Sequence, residues 1–145
     1  MITSVSHVGV YVLDQDAAKA FYTDVLGFEV GDDIAMGEAF EGAGSGFRWL
    51  TVRPPDQPDL ELILADCAVG HDPETAEALR TLVAKGTFGV GALSTGDCHK
   101  AHAELSDRGV VFLQEPTERP YGIEAVFRDD SGNWFSLTQR LEDSI

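Results

Sequence analysis

The fold is decided by the stretch SHVGVYVLDQDAAKAFYTDVLGFEV, residues 6–30. Its first half alternates aliphatic side chains with others, which predicts a strand that buries one face. The aliphatic face carries Val8, Val10 and Val12, and the opposite face carries His7, Gly9 and Tyr11. A helix follows, with Asp16 as its predicted N-cap and Gly27 as its stop. The chain therefore opens with a strand and a helix.

The second half of the chain repeats the order of the first. Its helix is predicted to begin at Asp97 and to end at Gly109, which correspond to Asp16 and Gly27. Further strands are predicted near residues 28–31, 47–53, 60–65, 88–94, 110–113, 123–128 and 134–139. One βαβββ unit is therefore used twice.

A linker helix is predicted between the two units, because Asp72 can cap it and Pro73 suits its first turn. Neither unit can bury its sheet alone, so two modules, from one chain or exchanged between two, are expected to share a core. We predict one α+β domain. The predicted bounds are 1–145 for the domain, about 1–66 for module 1, about 72–86 for the linker helix and about 87–140 for module 2.

Composition restricts the classes of partner. With 43% hydrophobic and 24% charged residues, the chain is typical of a globular protein. Its 10 Lys and Arg stand against 25 Asp and Glu, and the net charge of −15 disfavours nucleic acid and membrane surfaces as partners. Cys67 and Cys98 lie far apart in the sequence and outside any zinc-ligand spacing. This use of cysteine predicts reduced thiols and a cytoplasmic protein.

Three strings carry a resemblance to a known family: residues 6–30, LELIL at 60–64 and YGIEAVFRDDSGNWFSL at 121–137. They resemble the vicinal oxygen chelate superfamily of glyoxalases, bleomycin resistance proteins and extradiol dioxygenases, and the likeness covers nearly the whole chain. The resemblance implies a glyoxalase-like fold, in which two βαβββ modules form a curved, eight-stranded mixed sheet around a cleft. It also implies a homodimer, because members of this superfamily commonly complete their clefts by pairing chains.

The resemblance also implies a metal site, because many members hold a divalent ion with one residue from each of four strands. His7 and Glu61 stand at two of these positions. In module 2 the corresponding strand offers Phe88 or Val90, and the last strand offers Ser136 in place of a carboxylate. A hard cation needs several charged or imidazole ligands, so we expect no resident cofactor and at most weak binding of a divalent metal. The second histidine of an extradiol iron site is missing, which disfavours a dioxygenase.

His7 and Glu61 alternate away from the aliphatic faces, so both should point into the cleft. They are the candidate metal ligands, and Glu61 is also the candidate catalytic base. The alternative is that the two side chains hydrogen-bond each other, or that Glu61 pairs with an arginine: Arg48, Arg53 or Arg128. We favour this alternative over metal binding, because a lone carboxylate in a cleft would be costly.

Aromatic side chains are concentrated in the strands that would line the cleft, and an aromatic wall suits a planar or apolar ligand. The candidate ligand-binding residues are Phe47, Arg48, Trp49, Tyr121, Phe127, Trp134 and Ser136. By alternation Trp134 shares a face with Ser136, whereas Phe135 lies against a helix.

Three other features are interpreted without a role in chemistry. DDSGN, residues 129–133, is interpreted as a structural turn, and EGAGSG, residues 41–46, as a loop over the cleft. His99 and His102 are interpreted as surface residues of the second module's helix.

Two functions remain open. In the first, the protein binds a small organic molecule in an aromatic-lined cleft without a complete metal site. In the second, it is a metal-dependent lyase or isomerase of the glyoxalase type that uses His7 and Glu61. The first function is favoured, because two of the four metal ligands that the resemblance implies are missing.

Overall fold

The structure is a computed structural model that describes residues 1–36 and 47–141. The predicted loop at residues 41–46 lies outside these ranges. Module 1 contains β1 (His7–Val12), α1 (Gln15–Ala20, continued by a π-helical segment Phe21–Val25), β2 (Glu29–Ala35), β3 (Arg48–Arg53) and β4 (Glu61–Asp66). The linker helix is α2 (Pro73–Ala84). Module 2 contains β5 (Gly89–Ser94), α3 (Cys98–Asp107), β6 (Val111–Arg119), β7 (Gly122–Arg128) and β8 (Trp134–Arg140).

The described strands form two four-stranded mixed sheets with the same internal order, β1-β4-β3-β2 and β5-β8-β7-β6. In each sheet the first strand pairs in parallel with the last, and the other pairings are antiparallel. This is the predicted βαβββ unit used twice, and it confirms the α+β fold class. The eight strands are thus divided equally between the modules.

The helix ends show which capping residues were predicted correctly. Asp72 and Asp97 accept hydrogen bonds from the backbone N–H groups of Thr75 and Lys100, so both predicted N-caps are confirmed. The prediction for α1 was wrong, because Asp14 accepts from the N–H of Ala17 at 2.8 Å. Asp14 has the extended backbone that an N-cap needs, whereas Asp16 already lies inside the first turn.

One hydrophobic core extends through both modules. Val10, Val12 and Leu64 contribute to it from module 1, as their alternation predicted, and Phe127 and Phe135 stack in it from module 2. The same prediction was wrong for Val8, which stays 39% exposed because it borders a groove between the modules. No helix in the described ranges is long and apolar enough to cross a membrane.

The turn between β7 and β8 fastens the modules together. The carboxylate of Asp129 accepts hydrogen bonds from three backbone N–H groups of its own turn. It also accepts from the hydroxyl of Tyr22, in the helical segment of module 1, at 2.7 Å. Asn133 donates to the backbone carbonyl of Tyr11 at 2.8 Å. These buried contacts explain why the DDSGN sequence serves as a structural turn.

Candidate functional site

Each sheet has one face that packs on the helices and one that does not. On sheet 1, strand alternation places a group of polar and aromatic side chains on the second face, which we call cleft face 1. Cleft face 1 consists of His7, Trp49, Thr51, Arg53 and Glu61. The equivalent group on sheet 2, cleft face 2, consists of Tyr121, Glu124, Trp134, Ser136 and Thr138.

The carboxylate of Glu61 lies at the centre of cleft face 1 and has three partners. Its Oε1 accepts from the hydroxyl of Thr51 at 2.8 Å and lies 3.3 Å from Nε2 of His7. Its Oε2 accepts from the guanidinium of Arg53 at 2.5 Å. The hydrogen bond from Thr51, followed by that from Arg53, lowers the pKa of Glu61 below its ordinary value. Glu61 is therefore a stabilised carboxylate and a weak base.

His7 completes cleft face 1 from the neighbouring strand. It pairs with Glu61 in the parallel register of β1 and β4. Its Nδ1 lies 2.9 Å from the hydroxyl of Ser6, and its ring lies 5.5 Å from that of Trp49. Of the open alternatives, the structure thus shows contacts of Glu61 with His7 and with Arg53.

The other two arginines considered for Glu61 have different partners. The guanidinium of Arg48 binds Asp33 and Asp16, each at 2.7 Å, beside α1. Nε of Arg128 donates to the carbonyl oxygen of Asp129 at 3.3 Å. Arg48 shares a face of β3 with Leu50 and Val52, which are buried in the core beneath the helices. Two carboxylates neutralise its guanidinium on that side of the sheet.

The donor groups present do not fit the four-strand metal site of the family resemblance. Arg53 contributes a cation beside the carboxylate that would have to bind the metal. On sheet 2, the residue paired with Ser136 is Ala92 and not the expected Phe88 or Val90, and Ala92 has no donor side chain. Within the described residues, no group of three or more His, Cys, Asp or Glu side chains is arranged to hold a metal ion.

A depression of about 650 Å³ lies on cleft face 2. Trp134 forms one wall, 37% exposed, with its indole directly over Gly89. Any side chain at position 89 would overlap the indole, so glycine is needed for Trp134 to lie across β5. All of the lining residues belong to module 2, and small residues of β5 form the floor.

The polar end of this depression is organised around Glu124. Oε2 of Glu124 accepts from the hydroxyl of Ser136 at 2.6 Å, and Oε1 accepts from the hydroxyl of Tyr121 at 2.9 Å. Nε of Arg119 lies 3.7 Å from the same Oε1. These contacts, the one from Ser136 first, lower the pKa of Glu124. Cleft face 2 therefore carries a stabilised carboxylate, Glu124, as cleft face 1 carries Glu61.

Sequence reasoning missed Glu124, although a signal for it was present. In the sequence, the apolar residues Ala125 and Phe127 share one face of the strand, and alternation puts Glu124 on the opposite face. The structure confirms that Ala125 and Phe127 are fully buried. Its partners were harder to foresee, because Ser136 is on another strand and Tyr121 is in the preceding turn.

The structure separates the predicted ligand-binding residues into two groups. Tyr121, Trp134 and Ser136 surround the depression on cleft face 2. Phe47 and Trp49 line a smaller hollow of about 140 Å³ on sheet 1. Arg48 lines the same hollow, and its guanidinium is held by Asp33 and Asp16.

Phe127 is the exception among these predictions. It is fully buried and stacks on Phe135, because it shares a face of β7 with Ala125 and points toward the core. It therefore does not belong to either cleft face. His102 of α3 is half-buried, and its ring packs edge-on against that of Phe112 with the ring centroids 4.5 Å apart.

Comparison with known proteins agrees with this geometry. Residues 4–137 match the model of the glyoxalase/bleomycin resistance protein/dioxygenase superfamily. The crystal structure of UcmS2 is 49% identical with a TM-score of 0.87, covering 96% of this chain and 99% of that one. TnmS3, described as an antibiotic binding protein from Streptomyces sp. CB03234, is 31% identical with a TM-score of 0.73, covering 97% and 98%. YurT of Bacillus subtilis, an uncharacterized protein, is 35% identical over 90% of this chain and 94% of its own.

The chain belongs to the glyoxalase/bleomycin resistance protein/dioxygenase superfamily. Both the paired βαβββ modules and the family match support this assignment.

Proposed function

We propose that this protein binds a small organic molecule in the aromatic-lined cleft and does not need a metal to do so. The observation that carries the proposal is the ion pair between Arg53 and Glu61. It neutralises the carboxylate that a metal-dependent member would offer to its ion. The similarity to TnmS3, an antibiotic binding protein, supports a role in binding.

The alternative, a lyase or isomerase that uses His7 and Glu61, has less support. A general base works best when its pKa lies near the working pH, and the contacts of Glu61 move its pKa the other way. Both oxygens of its carboxylate are also engaged by neighbours on the same sheet. Catalysis by Glu61 would require these contacts to be broken first.

We further propose that the protein works as a homodimer. The depression on cleft face 2 is open to solvent and is lined by module 2 alone. Val111 and Leu113 of β6 are more than half exposed, at 55% and 59%, which is unusual for aliphatic side chains of an edge strand. A second copy of the chain, placed over these faces, would enclose the ligand and cover the strands.

The proposed compartment is the cytoplasm. Cys67 and Cys98 are both free thiols and both buried. Burial raises the pKa of each thiol, which keeps it protonated and unreactive. Structural cysteines of this kind suit a reducing compartment.

A thermal-shift screen of planar aromatic compounds, performed with and without EDTA, tests the proposed function. Binding to the folded state raises the melting temperature in proportion to the logarithm of ligand concentration. We expect some of the compounds to stabilise the protein, and EDTA to leave their effect unchanged. Stabilisation that disappears with EDTA would favour the metal-dependent alternative.

A further inference from the structure

The four polar side chains at the end of the depression on cleft face 2 form a connected hydrogen-bond network. We call Tyr121, Glu124, Ser136 and Thr138 the acceptor cluster. The hydroxyl of Ser136 donates to Glu124 at 2.6 Å, and its oxygen lies 2.9 Å from the hydroxyl of Thr138. Three hydroxyl groups and one carboxylate therefore share a small number of protons.

The direction of each hydrogen bond follows from counting those protons. A hydroxyl group has one proton to donate, and an ionised carboxylate has none. Because Ser136 gives its proton to Glu124, Thr138 must be the donor in its contact with Ser136. Tyr121 gives its proton to the other oxygen of Glu124. All three hydroxyl protons are therefore used inside the cluster.

Lone pairs are what the cluster has left to offer to a ligand. Each carboxylate oxygen can accept about two hydrogen bonds, and Ser136 is the partner of Oε2. The oxygen of Thr138 donates its proton and keeps its acceptor sites. The lowered pKa of Glu124 keeps it ionised at neutral pH, so it remains an acceptor. A ligand that meets this cluster must bring its own donors.

The apolar part of the depression adds a constraint of shape. Trp134 is two residues before Ser136 on the same face of β8, and both line the same depression as Glu124. The absence of a side chain at Gly89 lets the indole lie over the strand. A flat ring system on Trp134 would therefore occupy the depression that Glu124 also lines, where its substituents can face the cluster.

We propose that the acceptor cluster recognises hydroxyl or amino groups on a planar aromatic ligand whose rings stack on Trp134. This inference rests on the proposed binding function and specifies the class of ligand. The net charge of −15 acts in the same direction, since it disfavours ligands that carry a carboxylate. The lining also includes Arg140, a cation that would favour the opposite class, so the experiment includes a carboxylate probe.

Isothermal titration of three probes of similar size tests this inference. The probes are 2,3-dihydroxynaphthalene, 2,3-dimethoxynaphthalene, which lacks donors, and 2-naphthoate. The expected result is that the dihydroxy probe binds about tenfold more tightly than the dimethoxy probe, the difference of one hydrogen bond to a charged group. Equal binding of the two, or tightest binding of 2-naphthoate, would overturn the inference.

Two variants locate the effect. Glu124→Gln keeps the shape of the side chain and replaces an acceptor oxygen by a donor, so it should remove the preference for the dihydroxy probe. Glu77→Gln, on the exposed side of α2, is the matched control and should retain it. A preference that survives in Glu124→Gln, with the fold verified by circular dichroism, contradicts the role of the cluster. Failure of all three probes to bind counts instead against the proposed function.

Discussion

The guanidinium of Arg53 donates to the carboxylate of Glu61 across the antiparallel pair of β3 and β4 at 2.5 Å. The two residues face each other because Val52 pairs with Leu62, which aligns the next residue of one strand with the previous residue of the other. A carboxylate at a position associated with metal binding is thereby neutralised by a cation of its own sheet.

We expect Glu61→Gln to lower stability in a pH-dependent way. The pKa of Glu61 is lowered in the folded protein, so its contribution is present above the ordinary glutamate pKa and is lost as pH falls through the folded value. Urea unfolding at pH 7 should show a loss of about 1 kcal/mol, the scale of a solvent-screened hydrogen bond to a charged group. The difference from the wild type should shrink at pH 4 and below. A loss that is the same at both pH values would show that the charge of Glu61 is not the cause.

Tyr22→Phe should destabilise the junction between the modules. Tyr22 and Asp129 are both buried, and removal of the phenol hydroxyl takes one donor from a buried carboxylate. The expected cost is about 1 to 3 kcal/mol in the free energy of unfolding. Tyr11→Phe is the control, because it removes a hydroxyl from a half-buried tyrosine of β1. Similar losses for the two variants would mean that the contact with Asp129 contributes little.

These two contacts illustrate how much could be predicted from the sequence. Alternation and helix caps predicted the repeated βαβββ unit and most strand positions, because they depend on neighbouring residues. The choice of Arg53 over Arg48 and Arg128 depended on strand register, which the sequence leaves open. The role of Glu124 depended on Ser136 of the adjacent strand for the same reason. Phe127 was wrongly assigned to the cleft, although it shares a face of β7 with Ala125, a small apolar residue typical of the core.

Trp134→Ala should weaken binding of 2,3-dihydroxynaphthalene, whereas Trp49→Ala, in the separate hollow of sheet 1, should leave it unchanged. Loss of the indole wall removes apolar area that the ligand would cover, and the expected cost is about 1 to 3 kcal/mol. His99→Ala and His102→Ala serve as controls and should leave the affinity unchanged, since both residues belong to α3 on the other side of sheet 2. Isothermal titration measures all four. A larger effect of either histidine would mean that the cleft has been assigned to the wrong face.

The proposed homodimer predicts a specific response to charge on β6. Sedimentation equilibrium at micromolar concentration should give twice the mass of the 15.6 kDa chain. Leu113→Glu places a carboxylate on the exposed strand and should shift the equilibrium toward the monomer. Glu115→Gln, further along the same strand, is the control. A wild-type protein that sediments as a monomer would contradict the proposal.

The metal content of the purified protein tests the central claim most directly. Among the described residues, the pairing of Arg53 with Glu61 and of Ser136 with Ala92 leaves too few ligands for a tightly held ion. Elemental analysis after purification without added metal should therefore find less than one Zn, Ni, Mn or Fe per chain, and EDTA should hardly change the melting temperature. One tightly bound ion per chain, lost in His7→Ala or Glu61→Gln, would contradict the account and favour the metal-dependent enzyme.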